Sequence, residues 1–196
     1  MVVKFEEFDI SSLSFEKVQL DKKDVYLPRV NSKDCPLFQL PVLNCHGTPT
    51  PGPFFPTDKD RMFIQLVLEG EVLEQFRRLD EFLGSQQIQQ NLFGSDGFEY
   101  QPIVKPSKRG SLLKVKLLSD HTTGDITTVT DSPSETTTLK GFSKHVPFNS
   151  NVKTIVKLVK LWKINKKYGA TLKLVRIAVD SKAPVKGSDI LTVEFV

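Results

Sequence analysis

Two long apolar runs in the last third of the chain, Thr154 to Ile164 and Ala170 to Val179, are separated only by Asn165-Lys166-Lys167-Tyr168-Gly169. So short a connection leaves two elements little choice but to lie antiparallel against each other. The first run carries the β-branched residues Ile155, Val156, Val159 and Ile164 together with Trp162, the types that suit a pleated surface. Its lysines at 157, 160 and 163 would also fit a helix, but the β-branched content favours a strand. Gly169 supplies the positive φ that a hairpin turn demands. In the return strand Thr171, Lys173, Val175, Ile177 and Val179 alternate with Leu172 and Leu174. Apolar groups on both faces mark a central position in a sheet.

The rest of the chain reads as short β elements around one helix. Residues 1 to 34 alternate apolar pairs with charges and are expected to form one or two edge strands, broken at Ser11-Ser12, as a peripheral extension. The segment from Asn44 to Asp60 is a loop, because Gly47, Pro49, Pro51, Gly52, Pro53 and Pro56 exclude a regular ladder. Phe54 and Phe55 within it anchor it to the core or form an exposed aromatic tip. Met62 to Leu68 is a buried strand leading into a helix from Glu71 to Gln90. There Val72, Leu73, Phe76, Leu79, Phe82 and Leu83 form one stripe of 3.6-residue period, although Gly84 could end the helix early.

Phe98 to Val104 is a candidate strand and Pro106 to Gly110 a basic turn. Leu113, Val115 and Leu117 alternate with Lys114 and Lys116, the signature of a half-buried strand. Ile126 to Thr130 is a further short strand, Asp131 to Thr138 a polar segment expected to be disordered, and Ile190 to Val196 a last strand. The order lacks the βαβα rhythm of a parallel sheet. The expected fold is mostly β, an OB-like partly open barrel with one main packed helix and extra strands, in one domain spanning 1–196. A β-sandwich is the alternative.

Charge placement narrows the function more than its sum. The net charge is +4, yet Lys140 to Val179 contains no Asp or Glu and carries ten cations, Lys140, Lys144, Lys153, Lys157, Lys160, Lys163, Lys166, Lys167, Lys173 and Arg176. Uncompensated cations create a local positive field suited to a polyanion. Nothing approaches a membrane span, and the N-terminus has no secretory pattern. With two cysteines that form no disulfide framework, this points to an intracellular, reducing compartment, cytoplasm or nucleus. No Gly-rich phosphate loop is present. Cys35, Cys45 and His46 lack zinc spacing; Asp58 and Asp60 before Arg61 could touch a metal but read better as a loop salt bridge, and Asp120, His121 and Asp125 have no matching nucleophile. Catalytic residues, metals and cofactors are therefore not expected.

Single-strand binding needs cations that follow phosphates and flat rings on which bases stack. The candidates for this work are Trp162 and Tyr168 among Lys157, Lys160, Lys163, Lys166, Lys167, Lys173 and Arg176. A second basic patch joins Lys105, Lys108 and Arg109 to Lys114 and Lys116, its turn placed to grip phosphate. A third is an aromatic and basic loop, Phe142, Lys144, His145 and Phe148. Against each stands a plainer reading, with rings in the core and lysines as a solvated face.

The order of Leu37-Phe38-Gln39-Leu40-Pro41, the strand and helix from Phe63 to Phe82, and then Val159-Lys160-Leu161-Trp162-Lys163-Ile164 with Tyr168-Gly169-Ala170-Thr171-Leu172-Lys173-Leu174-Val175 resembles the single-stranded DNA-binding proteins of large nucleocytoplasmic DNA viruses. More loosely it resembles phage replication proteins with OB folds. The resemblance spans 37–179 and is most specific from Trp162 to Val179. It implies sequence-tolerant coating of single-stranded DNA in viral genome replication, recombination or repair. The implied contacts are Trp162, Tyr168, Lys160, Lys163, Lys166 and Lys167. Implied partners are single-stranded DNA, further copies along the strand and replication proteins, with no membrane. RNA is an alternative ligand, and a virion or replication-complex structural protein an alternative role. Many such proteins end in an acidic recruiting tail; here the sequence closes on Thr192-Val193-Glu194-Phe195-Val196.

Overall fold

In the computed structural model, which describes residues 1–20, 23–47, 62–120 and 122–180, strands dominate. The N-terminal strands are β1 (Val2–Lys4), β2 (Leu13–Leu20), β3 (Lys23–Val30), β4 (Lys33–Asp34) and β5 (Leu37–Gly47). After β6 (Phe63–Leu68) come two helices, α1 (Gly70–Gly84) and α2 (Gln86–Phe93). Then follow β7 (Glu99–Gln101), β8 (Val104–Ser107), β9 (Gly110–Leu117), a short α3 (Leu139–His145), β10 (Ser150–Ile164) and β11 (Lys167–Val179).

Among the described residues the pairings return on themselves. β5 pairs with β6, β6 with β9, β9 with β11, β11 with β10, and β10 with β5. All are antiparallel except β9–β11, which is parallel. The β2–β3 hairpin extends the sheet from β10, and β1 extends it from β5. The strand reading of 154–164 therefore holds, and β11 is central, bordered by β10, β9 and β7.

One set of alternating residues fills the interior: Leu40, Leu43 and Cys45 on β5, Ile64, Leu66 and Leu68 on β6, Leu113, Val115 and Leu117 on β9, and Val156, Leu158, Leu161, Leu172 and Leu174 on the late hairpin. Burying a side chain of this size contributes roughly 1.5–3 kcal/mol, so each strand is fixed in face by several such terms. On β9 a slip of one residue would exchange Leu113, Val115 and Leu117 with Lys114 and Lys116.

Several expectations are corrected. The helix breaks in two: Ser85 is extended, and its hydroxyl accepts from the Ile88 N–H to start α2, which ends at Gly94 with φ of 69°. The strand expected from Phe98 to Val104 splits into β7 and β8, since Pro102 has no N–H to continue a ladder. The corner is tied instead to α1, where Asp80 accepts from the Ile103 and Val104 N–H groups and the Tyr100 hydroxyl at 2.7–3.0 Å. Asn44 to Gly47 belongs to β5 rather than to a loop. Ile126 to Thr130 forms two isolated bridges, Ser119 with Ile126 and Val129 with Arg176.

The polar segment 131–138 is folded on itself, with a 3-10 turn at Pro133–Glu135 and a bond of 2.8 Å between the Thr130 and Thr136 hydroxyls. In the N-terminal region β1 and β2 stand at the two ends of the strand order, while Phe5 is buried against Phe38 and Phe76, and Leu13 and Tyr26 join the same core. Phe54, Phe55, Asp58, Asp60, His121 and the strand expected at 190–196 lie outside the described residues.

Candidate nucleic-acid interface

Register assigns each lysine of the late hairpin to a face. Trp162 is opposite Gly169, Lys160 opposite Thr171, and Lys157 opposite Lys173. Residues paired directly across a ladder share a face. Across the parallel junction Lys173 pairs with Lys116. Lys116, Lys173 and Lys157 thus form a row across three adjacent strands, on the face away from the core. Strands in a sheet lie about 4.8 Å apart, and like charges directly opposite destabilise a ladder. Lys114 stands two residues along β9 on the same side. Partial burial, and then the charge of Lys116, lower its pKa from the ordinary lysine value. Its ammonium lies 3.8 Å from the centroid of the Phe63 ring.

Beyond this row β9 and β11 part. β8 pairs with β9 on one side of the fork and β7 with β11 on the other. The fork is an open cleft of about 360 Å3 lined by Lys105, Lys114, Lys116, Trp162, Thr171 and the β7–β8 corner at Gln101-Pro102-Ile103. Trp162 forms one wall, half-buried. Its indole lies close on the backbone of Gly169, where an added Cβ would come 2.8 Å from Cζ2 and 3.1 Å from Cε2. Gly169 is therefore needed for a close approach and not for a turn. The hairpin closes through Asn165-Lys166, and Asn165 takes the positive φ, 53°.

Not every expected contact lies there. Tyr168 is 0% exposed. Its hydroxyl donates to the Leu83 carbonyl at 2.7 Å, and its ring packs on Phe93 and Tyr100. Phe142 is likewise 0% exposed. Neither ring offers a face for stacking, because the position each takes on its element points into the core. Lys163 pairs with Tyr168 and lies on that opposite side, its ammonium 4.3 Å from the Phe98 ring and 4.8 Å from Phe93. Lys166 is exposed in the turn, and Lys167 is bonded to Glu99 of β7 at 3.2 Å, so an acid from another strand reaches this end of the acid-free segment. Glu99 is held below its ordinary carboxylate pKa by Gln101 and then by Lys167. Arg176 is half-buried opposite Ile155. Lys144 is exposed on α3 beside Glu135 and His145, apart from the cleft.

A second exposed cluster forms where three connections meet. Phe148 is 53% exposed. Arg109, in the β8–β9 turn beside exposed Lys108, places its guanidinium carbon 5.8 Å from the Phe148 centroid. His46, near the end of β5, has its ring centroid 5.0 Å from that of Phe148.

In the sequence Lys105, Lys114 and Lys116 stand as a patch apart from Trp162, and nothing there marks Phe63 or Gln101 as their neighbours. The usable signal was the outward alternation of Lys114 and Lys116, which matches that of Thr171 and Lys173; the parallel pairing that joins them has no local mark. Cys35 and Cys45 are buried, which pushes their thiols up to about 11 and about 12. They stay protonated near neutrality and are poor nucleophiles. Among the described residues, no three His, Cys, Asp or Glu side chains are grouped to hold a metal ion.

No family model matches this chain, and no curated protein matches it. Among solved structures it is similar to the single-stranded DNA-binding protein from bacteriophage Enc34. For that protein in complex with ssDNA the identity is 10%, over 85% of this chain and 94% of that one, with a TM-score of 0.48. For its C-terminal truncation the values are 12%, 86%, 95% and 0.46. A third structure of the same protein gives 9%, 85%, 89% and 0.45.

Proposed function

We propose that the cleft between β9 and β11 binds single-stranded DNA without catalysis and with little regard to sequence. The observation that carries this reading is the in-register row Lys116, Lys173 and Lys157 on the same face as the half-buried Trp162. Bare, the row holds repelling charges side by side; a phosphate backbone laid across it turns that repulsion into attraction. Lys105, Lys114 and Lys160 border the path, and the indole gives one base a surface to stack on. Stacking contributes about 1–3 kcal/mol per base and tolerates any base, since each has a π-face.

In this reading the ring of pairings is an OB-type, partly open barrel within a single domain. Its ligand is a strand exposed during viral genome replication, recombination or repair inside the host cell. Tyr168, Phe142 and Lys163 are left out of the contact set. The reading rests on the cleft and not on the structural likeness.

Fluorescence anisotropy with a labelled dT oligomer tests it, with matched RNA and duplex as competitors. Single-stranded DNA should bind at low salt and duplex should compete poorly, because paired bases offer no free face. Absence of binding at low salt would remove the proposal. Equal competition by RNA would widen the ligand class, since stacking does not distinguish the sugars.

A further inference from the structure

We infer that Phe148, His46 and Arg109 form a second station for one unpaired base, and that it prefers guanine. This deepens the reading of the cleft and rests on it. Three observations carry it.

The first is pre-organisation. Phe148 is exposed, yet the backbone beside it is tied down. The Asn149 N–H donates to the Cys45 carbonyl at 2.9 Å, Asn44 Nδ2 donates to the Asn149 carbonyl at 3.0 Å, and the Ser150 hydroxyl donates to the Pro147 carbonyl at 2.7 Å. An exposed ring held in place loses little freedom when a base stacks on it.

The second is the fixed guanidinium. Arg109 Nη1 lies 3.2 Å from His46 Nδ1. An arginine has no lone pair to accept with, so Arg109 donates and Nδ1 accepts, which places the imidazole proton on Nε2. That bond uses one of the five guanidinium N–H donors, and Arg109 is exposed. A guanidinium pairs in bidentate fashion with O6 and N7 of guanine, an acceptor pair that the other bases lack.

The third is continuity. Arg109 immediately precedes β9, whose outward residues include Lys114 and Lys116 of the cleft. Seven residues separate Arg109 from Lys116, roughly 23 Å at about 3.3 Å per residue. At the stacked spacing of about 3.4 Å per nucleotide, one strand reaching both stations spans at most about seven nucleotides.

The test is a guanine scan. A dT12 oligomer and variants carrying one guanine at each position are titrated against the wild-type protein, Arg109→Lys and Phe148→Ala, each checked for an unchanged melting curve. We expect guanine at one register to tighten wild-type binding about fivefold, the low end for a bidentate base contact. Arg109→Lys keeps the charge but not the fork, and should abolish the difference between the guanine-bearing oligomers and dT12. Phe148→Ala should weaken every oligomer by about fivefold or more. A flat scan with dT12 binding intact overturns the station and leaves the cleft standing. So does a preference that survives Arg109→Lys. Failure of the wild type to bind any oligomer overturns the cleft reading and this one together.

Discussion

Trp162 and Lys163 are neighbours in sequence and end on opposite faces of one hairpin. On the outer face Trp162 rests on Gly169 among Lys105, Lys114 and Lys116. On the inner face Lys163 stands beside Tyr168, its ammonium over Phe93 and Phe98. The same residue types, an aromatic and a lysine, thus do different work one position apart. On the outer face the half-buried indole and the lysines line an open cleft, with Lys114 over Phe63; on the inner face Tyr168 is wholly enclosed, and Lys163, though exposed, lies over two rings of the protein. What distinguishes a binding aromatic from a structural one here is strand parity and not composition.

The comparison can be broken most severely at Tyr168. Tyr168→Ala should cost about 3–5 kcal/mol of stability, as for a large core aromatic, and Tyr168→Phe about 1 kcal/mol through the lost bond to the Leu83 carbonyl. Urea denaturation measures both. A near-neutral Tyr168→Ala would return that ring to the surface.

Trp162→Ala should do the reverse. We expect oligonucleotide affinity to fall about tenfold, within the range for one stacked base, with a melting temperature little changed. Gly169→Ala should weaken binding in the same direction, since its Cβ would lift the indole from its seat. Equal losses of stability and affinity in Trp162→Ala would make Trp162 a core residue.

The lysines sharpen the contrast further. Replacing Lys116 or Lys173 with Gln should flatten the salt dependence of binding, each by about 0.7 in the slope of log K against log salt. Lys163→Gln, on the inner face, should leave that slope alone. Lys167→Gln should change it less than Lys116→Gln, because Glu99 already neutralises that ammonium. The ranking is read from titrations at four salt concentrations.

Near neutral pH the smallest effect expected is that of the two cysteines, which shows only in alkali. Cys35 and Cys45 are held protonated in the fold, at about 11 and about 12, against an ordinary thiol value near 8.5. Because their folded pKa is raised, the stability they contribute is complete below the unfolded value and is lost as pH climbs from about 9 towards 12. Native protein at pH 8 should react slowly with a thiol reagent, and unfolded protein quickly. Rapid labelling of the native state would contradict the burial.

Much of this fold was legible in advance because its strands alternate cleanly. Leu113 to Leu117 and Ala170 to Val179 declare their faces, and the hairpin between 154 and 179 follows from the short turn. The helical stripe was visible too, but its break was not, since Ser85 acts through a cap rather than through hydrophobic period. The candidate site was half legible. The cations were plain to see; which ring stood among them was not. The register shifts by one residue at Val175 on β11 and again at Val159 on β10, and nothing local announces such bulges. The partnership of β9 with β11 is parallel and distant in sequence, so Lys116 and Lys173 gave no sign of standing side by side.

Trp162 is the only tryptophan in the chain, so selectively excited indole fluorescence reports on the outer face alone. Titrating the protein with oligo-dT at low and moderate salt therefore tests the central claim directly. Stacking of a base on the indole predicts strong quenching at low salt, saturating, with an affinity that drops steeply as salt rises. An emission that does not respond to saturating oligonucleotide, while anisotropy shows that the strand is bound, would place the strand elsewhere and contradict the account.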